Sequence, residues 1–144
     1  METIITVTKL EHEELVNLLS TALYGSSYFR ASYNRKIYET ISKDNEERFY
    51  DKCFEDILAE MLLAGHKITI TDYEAEGVSY SDKCVGFDEE DESAFYEICL
   101  NDILKVASTQ RGYRLLEDVL SGEGDQFTAD AFLQLVVFGE EVYG

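Results

Sequence analysis

The chain has 144 residues, of which 45% are hydrophobic, and this suits one domain with a single hydrophobic core rather than a disordered chain. Thirty aspartates and glutamates oppose twelve lysines and arginines, and the formal net charge of −18 repels phosphate backbones, nucleotides and anionic lipid surfaces. This charge argues against direct binding of nucleic acid or membrane. Because the sequence shows neither a run of about 18 apolar residues nor a basic, apolar leader, we expect a cytoplasmic protein.

The first part of the chain predicts a strand, a helix and a mixed segment. Residues 3–8 are mostly β-branched and predict a short strand. Thr8 and Glu11 match a capping box, which opens a helix that ends at Gly25. The aromatic-rich stretch 28–42 is interpreted as part loop and part helix.

The rest of the chain predicts further helices and strands. Asp44 and Glu47 form a second capping box, which predicts a helix over about 45–64. Apolar and polar residues alternate over 66–73, which predicts a half-buried strand. The remaining predicted elements are strands within 78–87 and 94–100, a helix over 101–109 capped by Asn101, a helix over 113–121, and a helix over 129–138 capped by Thr128. We therefore predict one compact α+β domain (1–144) with a small antiparallel sheet covered by several helices.

The sequence contains no recognisable catalytic, phosphate-binding or metal-binding motif. His12 is predicted on the polar side of the first helix, and His66, directly after the helix-ending Gly65, is predicted to interact with helix-end carbonyls. The three cysteines are Cys53, Cys84 and Cys99. Because their number is odd and no two form a Cys-x-x-Cys pair, they predict neither a disulfide framework nor a zinc site, and we expect them on buried faces. We predict that the protein is not an enzyme and has no catalytic residue, metal site or cofactor.

Acidic residues concentrate in one stretch of the chain. Residues 30–52 carry a net charge of +1, whereas residues 72–102 carry −10. The run 88–92 lacks the pattern of a calcium loop, and it is either a solvated loop or a binding surface. Because like charges at this density repel one another, such a surface suits the attraction of a basic partner. The predicted partner-binding residues are Asp72, Glu74, Glu76, Asp82, Asp88, Glu89, Glu90, Asp91, Glu92 and Glu97, and the aromatic residues among them are Tyr73, Tyr80, Phe87, Phe95 and Tyr96.

Two segments resemble a known family. The first reads Thr21-Ala22-Leu23-Tyr24-Gly25-Ser26-Ser27-Tyr28-Phe29. It is similar to the Thr-Ala-Leu-Glu-Gly-Gly-x-x-Tyr-Trp signature of small proteins encoded by bacteriophages and other mobile elements. The segment from Asp130 to Gly144 is similar to their Asp-Ala-x-x-x-Gln-x-x-x-Phe-Gly-Glu-x-Val-Tyr-Gly tail. The resemblance implies a mobile-element origin, a bacterial host and a small α+β fold, and it transfers no catalytic residue.

The leading hypothesis is a phage or mobile-element protein that binds and inhibits a host nuclease or other nucleic-acid-binding defence protein. Its acidic surface would mimic nucleic acid, in the manner of anti-CRISPR and anti-restriction proteins. The alternative is a non-enzymatic accessory or assembly protein of the mobile element, such as a homodimer, that acts through an apolar protein–protein interface. A hydrolase with a carboxylate pair is the third option, and no motif supports it. Salt dependence of binding separates the first two, because salt screens exposed charges.

Overall fold

The computed structural model describes residues 5–47 and 53–144, and within them the chain forms six helices and four strands. In chain order these are α1 (His12–Leu23), β1 (Phe29–Ser32), α2 (Arg35–Asp44), α3 (Phe54–Leu63), β2 (Ile68–Asp72), β3 (Cys84–Asp88), β4 (Ser93–Ile98), α4 (Leu100–Ala107), α5 (Gln110–Ser121) and α6 (Gln126–Phe138). The strands form one antiparallel sheet in the order β1-β2-β4-β3. The predicted α+β class is therefore confirmed.

The N-terminal segment differs from its prediction. Residues 5–8 form no strand, because Val7 donates its backbone N–H to Ser108 Oγ (2.9 Å) and not to a sheet; residues 3 and 4 lie outside the described residues. α1 begins one turn later than predicted, and its capping box joins Glu11 to Glu14 (N to Oε1, 2.8 Å). The predicted end at Gly25 is confirmed, since this glycine has a left-handed backbone (φ +79°).

The segment between α1 and β2 also differs in detail. Residues 28–42 hold β1 and most of α2, so the mixed interpretation missed a strand. Asp44 is the last residue of α2 and opens no helix. α3 instead begins after Cys53, whose backbone N–H donates to Asp56 Oδ2 (3.0 Å). Part of the predicted helix, residues 48–52, lies outside the described residues.

The end of α3 and the sheet agree more closely with prediction. Gly65 and His66 donate their backbone N–H groups to Leu62 O (3.0 Å) and Met61 O (2.9 Å), the pair of bonds that closes a Schellman motif. The backbone of His66 makes this bond, as any residue at the position could, so the predicted interaction of the histidine side chain stays a prediction. β2 and β4 lie within or close to the predicted strands, whereas β3 occupies only the end of the segment predicted as 78–87.

The last three helices begin earlier than predicted, because different residues cap them. Cys99, not Asn101, precedes α4, and its N–H donates to Asp102 Oδ2 (2.9 Å). Asp125, not Thr128, caps α6 through its Oδ1, which accepts from the Thr128 N–H (3.1 Å). α5 begins at Gln110, three residues before its predicted start.

The helices cover one face of the sheet and form a single hydrophobic core. α6 packs against α1, α5 and β4, and α1 also packs against α3. On α6, Phe132, Val136 and Phe138 are buried, and Leu135 is half-buried. The largest fully buried side chains include Tyr96, Phe29 and Phe132. The core therefore joins the sheet to the C-terminal helix.

His12 lies between α1 and α3 and not on the polar side of α1, where it was predicted. Its Nε2 is 2.9 Å from Asp56 Oδ1, its Nδ1 is 3.3 Å from Glu60 Oε2, and its side chain is only 13% exposed. Burial alone would raise the pKa of Asp56, but hydrogen bonds with His12 and Cys53 outweigh burial and lower that pKa. His12 thus connects two helices.

The cysteines are not all on buried faces. Cys53 is exposed, and Cys84 and Cys99 are partly buried. Cys53 and Cys99 occupy the N-cap positions of α3 and α4, where the chain turns at the protein surface. The prediction is therefore wrong for Cys53.

Gly112 allows α5 to pack closely against the end of α4. A Cβ atom at this position would lie 1.9 Å from Val106 O and 2.8 Å from Thr109 Oγ1. We expect Gly112→Ala to lower the free energy of unfolding by about 3 kcal/mol, because backbone atoms must move to relieve the overlap. Gly86→Ala is the matched control, since its Cβ would meet only Phe95 at 3.9 Å. Denaturant unfolding of both variants measures the difference, and equal stabilities would contradict the prediction.

Candidate protein-binding site

Two acidic turns lie side by side at one end of the sheet. One turn, 73–78, follows β2, and the other, 88–92, joins β3 to β4. Because the strands are antiparallel, the last residues of β2 and β3 lie beside the first residues of β4. Ala94 on β4 pairs with Asp72 on one side and with Phe87 on the other. The Gly77 N–H donates to Glu92 O (3.1 Å) and connects the turns. We name their seven exposed carboxylates the acidic end: Glu74, Glu76, Asp88, Glu89, Glu90, Asp91 and Glu92.

Two aspartates of the acidic end also hold the β3–β4 turn in shape. Asp88 Oδ1 accepts the N–H of Glu90 (2.9 Å), and Asp91 Oδ1 accepts both the N–H (3.2 Å) and the hydroxyl (2.7 Å) of Ser93. These bonds are the side-chain-to-backbone contacts that aspartate makes in tight turns. The glutamates of the two turns form no ion pair with any described residue, so their carboxylates are free to bind a partner.

The structure does not bring all the predicted residues together. Asp82 precedes β3 and Glu97 lies near the end of β4, at the opposite end of the sheet from the acidic end. There Glu97 Oε2 is 3.8 Å from Lys67 Nζ, and a surface groove brings both acids together with Lys83 and Lys105. The acids of 72–102 are therefore divided in the structure, because Lys67, Lys83 and Lys105 lie beside Asp82 and Glu97 at this end.

Asp72 also departs from its predicted role. It is fully buried, its Oδ2 accepts the Tyr143 hydroxyl (2.8 Å), and its Oδ1 accepts the Glu74 N–H (2.9 Å). Burial raises the pKa of its carboxyl, and the two hydrogen bonds offset that rise only in part. Its position on the inner face of β2 follows from the strand alternation that buries Ile68 and Ile70. Asp72 therefore lies in the core next to the acidic end and accepts a hydrogen bond from the backbone of its first turn.

A buried polar cluster, which the sequence did not predict, extends from Asp72 to α6. The Tyr143 hydroxyl donates to Asp72 Oδ2, and the Tyr28 hydroxyl donates to Asp130 Oδ2. Gln134 lies at its centre: its Nε2 is 2.8 Å from Asp130 Oδ2, 3.0 Å from Tyr28 Oη and 3.1 Å from Tyr143 O. Its Oε1 accepts two backbone N–H groups of the tail, at 2.7 Å each. The cluster thus bonds the tail, residues 142 and 143, to α6 and to the sheet.

The two tyrosines of the cluster act as hydrogen-bond donors. Burial, together with a hydrogen bond to a carboxylate, raises the pKa of both Tyr28 and Tyr143 well above the usual range. Both hydroxyls therefore stay protonated and act as permanent donors. The segments 21–29 and 130–144 meet here, since Tyr28 lies in the first, and Asp130, Gln134 and Tyr143 lie in the second. Both segments stand out in the sequence, but no pattern along the chain places them side by side.

Replacing Asp72 by asparagine tests the effect of burial on its carboxyl. A raised folded-state pKa means that the native state holds a proton which the unfolded state has lost, so wild-type stability falls as the pH rises through this window. We expect the stability of Asp72→Asn, relative to wild type, to increase between about pH 3 and 7. Urea unfolding at several pH values measures this difference.

Asp125→Asn provides a control of opposite sign. The Thr128 N–H lowers the pKa of Asp125, so that carboxyl stabilises the folded state above its unfolded pKa and loses its effect as the pH falls. The stability of Asp125→Asn relative to wild type should therefore decrease as the pH rises. Parallel pH profiles for the two variants would contradict the assignment.

In residues 5–47 and 53–144, no group of three or more histidine, cysteine or acidic side chains is placed to hold a metal ion. No helix in these ranges combines the length and apolar character needed to cross a bilayer. Comparison with protein-family models, with curated proteins and with solved structures gives no match to this chain.

Proposed function

We propose that this protein binds and inhibits a nucleic-acid-binding defence protein of a bacterial host, and that its acidic end occupies the basic surface which otherwise binds nucleic acid. The observation that carries the proposal is the acidic end itself. Seven exposed carboxylates come from two adjacent turns, and neither turn contains a lysine or arginine. A basic surface built for phosphates would find a comparable density of negative charge there.

The backbone of the acidic end supports a functional interpretation. Glu76 (φ +50°) and Glu92 (φ +57°) both have left-handed backbones, which cost a residue with a side chain about 1–2 kcal/mol relative to the usual conformations. Glycine or asparagine would fit these positions at lower cost. Together with the repulsion among seven carboxylates, this cost indicates that glutamate is present there for its charge.

Exposed aromatic residues beside the acidic end would add affinity to the electrostatic attraction. Tyr73 is 48% exposed and Phe87 is 44% exposed, and each lies next to one of the two turns. Aromatic side chains at the centre of an interface are frequent energetic anchors, whereas exposed charges mainly set the rate and selectivity of association. Carboxylates around two aromatic rings therefore suit a partner that is basic and partly apolar. The resemblance to mobile-element proteins favours a target among host defence proteins.

The test is capture followed by competition. Immobilised protein is incubated with lysate from bacteria that carry several defence systems, and bound proteins are then eluted with duplex DNA, with RNA or with salt. We expect a nucleic-acid-binding protein that nucleic acid displaces, and whose nucleic-acid binding the purified protein inhibits. A captured protein that still binds nucleic acid with full affinity in the complex would contradict the proposal.

The edge strand β3 favours a second candidate function. Among the residues that the structure describes, β3 pairs with β4 alone, and Val85 on it is 59% exposed. An unpaired edge with exposed apolar side chains can add a strand from another protein or from a second copy. This arrangement suits an accessory or assembly protein of a mobile element. Its binding would be nearly indifferent to salt, whereas binding by the acidic end weakens sharply as salt increases.

A further inference from the structure

A groove between α5 and α6 forms a second candidate site, separate from the acidic end. Its volume is about 430 Å³, which is within the range of sites for small molecules or single side chains. α6 contributes Phe127, Asp130 and Gln134, which follow one another along one face of the helix. α5 contributes Arg111 and Asp118 from the opposite wall.

Asp130 carries an oxygen that has no hydrogen-bond partner. The residue is 8% exposed, and its Oδ2 accepts bonds from the Tyr28 hydroxyl and from Gln134 Nε2. Its Oδ1 is buried and accepts none. An unpaired carboxylate oxygen in a buried position is costly, so this atom needs a donor. Asp130 lines the groove, so a donor bound there lies beside this carboxyl.

The charge of the groove indicates a cationic donor. Three carboxylates line it, those of Asp118, Asp130 and Glu141, against a single guanidinium. That guanidinium, of Arg111, already forms two hydrogen bonds with Glu141 (3.0 and 3.2 Å). Asp118 and Asp130 therefore have no cation of their own within the groove.

An aromatic ring at the groove indicates which cation fits best. Phe127 is 74% exposed, and a large apolar side chain on a helix surface is available to cover a ligand. A planar guanidinium stacks on aromatic rings and donates several N–H groups in one plane, whereas an ammonium is a strongly hydrated point charge. Leu115 and Ala131 line the same groove and suit an alkyl stem.

We propose that this groove binds an alkylguanidinium group, which donates to Asp130 Oδ1 and packs against Phe127. The group belongs either to an arginine side chain of a partner protein or to a free small molecule. Binding at this groove does not depend on the function proposed for the acidic end, because the groove presents its own carboxylates and its own aromatic ring.

Titration followed by NMR tests the proposal. The side-chain amide of Gln134 is the reporter, because it bonds to Asp130 Oδ2. We expect butylguanidinium chloride to shift this signal saturably, while neutral butylurea, which has the same shape, and sodium chloride do not. Acetyl-arginine-methylamide distinguishes the sources: tighter binding than butylguanidinium indicates a side chain of a partner, and weaker binding indicates a free small molecule. No saturable shift, or an equal shift with butylurea, would overturn the proposal and leave water as the partner of Oδ1.

Two variants of opposite effect complete the test. Asp130→Asn should weaken binding of butylguanidinium by about tenfold or more, because a charge-assisted hydrogen bond is lost. Arg111→Gln should strengthen binding, because it removes a competing cation and frees Glu141, and its exposed ion pair makes little contribution to folding. A gain of affinity cannot result from unfolding. Unchanged or weaker binding by Arg111→Gln, or full binding by a folded Asp130→Asn, would contradict the assignment.

Discussion

Replacing Gln134 by leucine is expected to lower the free energy of unfolding by about 3 kcal/mol, a large part of the stability of a domain of this size. Gln134 is 2% exposed, and its amide makes hydrogen bonds at both ends. Leucine fills a similar volume but neither accepts from the tail N–H groups nor donates to Asp130. The loss therefore measures the polar contacts and not the creation of a cavity.

The consequences extend beyond α6, because Gln134 fixes the tail in place. The N–H groups of Val142 and Tyr143 both donate to Gln134 Oε1. In Gln134→Leu these N–H groups form hydrogen bonds with water instead. Tyr143 then loses the backbone bond that holds its hydroxyl against Asp72. We expect hydrogen exchange at the amides of Val142 and Tyr143 to accelerate more than exchange in the strands of the sheet.

Gln126→Leu is the matched control for this prediction. Gln126 lies on the same helix and makes one longer hydrogen bond, from Nε2 to Ala22 O (3.3 Å). Its replacement should cost less than about 1 kcal/mol, the usual value of a single neutral hydrogen bond. Denaturant unfolding compares the two variants, and similar losses for both would show that the buried polar cluster contributes little to stability.

The sequence predicted the class of the fold because that class depends on patterns within short segments. The alternation over 66–73 and the glycines at 25 and 65 correspond to β2 and to the ends of α1 and α3. Helix starts were predicted less well. Residues that could cap a helix lie within a few positions of one another, and only packing decides between neighbours such as Thr8 and Glu11 or Asp125 and Thr128.

The candidate site was predicted only in part, because charge along the chain does not give position on the sheet. The run 88–92 became an exposed turn, which a solvated loop and a binding surface both require. Asp82 and Glu97 are close to that run in sequence, yet the strands β3 and β4 carry them to the far end of the sheet. Asp72 was predicted at the surface although it continues the buried alternation of β2.

The polar cluster could not be derived from residue patterns alone. Its members are separated by about 100 residues along the chain, as in the bond from Tyr28 to Asp130. No local periodicity connects a tyrosine before β1 with a glutamine on α6. The prediction of a helix over 129–138 places neither Asp130 nor Gln134 beside Tyr28 or Tyr143. Rings do meet there, since Phe138 lies against both Phe29 and Tyr143.

Neutralising four glutamates of the acidic end is expected to weaken binding of the captured partner by about 100-fold at physiological salt. The variant combines Glu→Gln at positions 74, 76, 89 and 90. At about 0.7 kcal/mol for each exposed charge, four together contribute about 2.8 kcal/mol, which is a factor of about 100. Asp88 and Asp91 are kept, because their carboxylates hold the turn. The aromatic neighbours Tyr73 and Phe87 also stay in place.

The control variant carries the same change of charge at other places on the surface. Glu→Gln at positions 13, 117, 123 and 140 alters four exposed glutamates that lie outside the two acidic turns. Long-range attraction depends on the total charge, so this variant should lose a small part of the affinity. Titration of the partner at two or more salt concentrations separates the variants, because the acidic-end variant should also show the flatter salt dependence.

Stability and affinity should change in opposite directions in the acidic-end variant. Removing like charges from two adjacent turns relieves their mutual repulsion, so the free energy of unfolding should rise while binding weakens. A variant that is more stable and binds worse cannot have lost affinity through unfolding. If instead both quadruple variants lose affinity equally, the attraction depends on the total charge of the protein, and the partner binds elsewhere. The exposed edge of β3 would then be the next surface to alter, beginning with Val85.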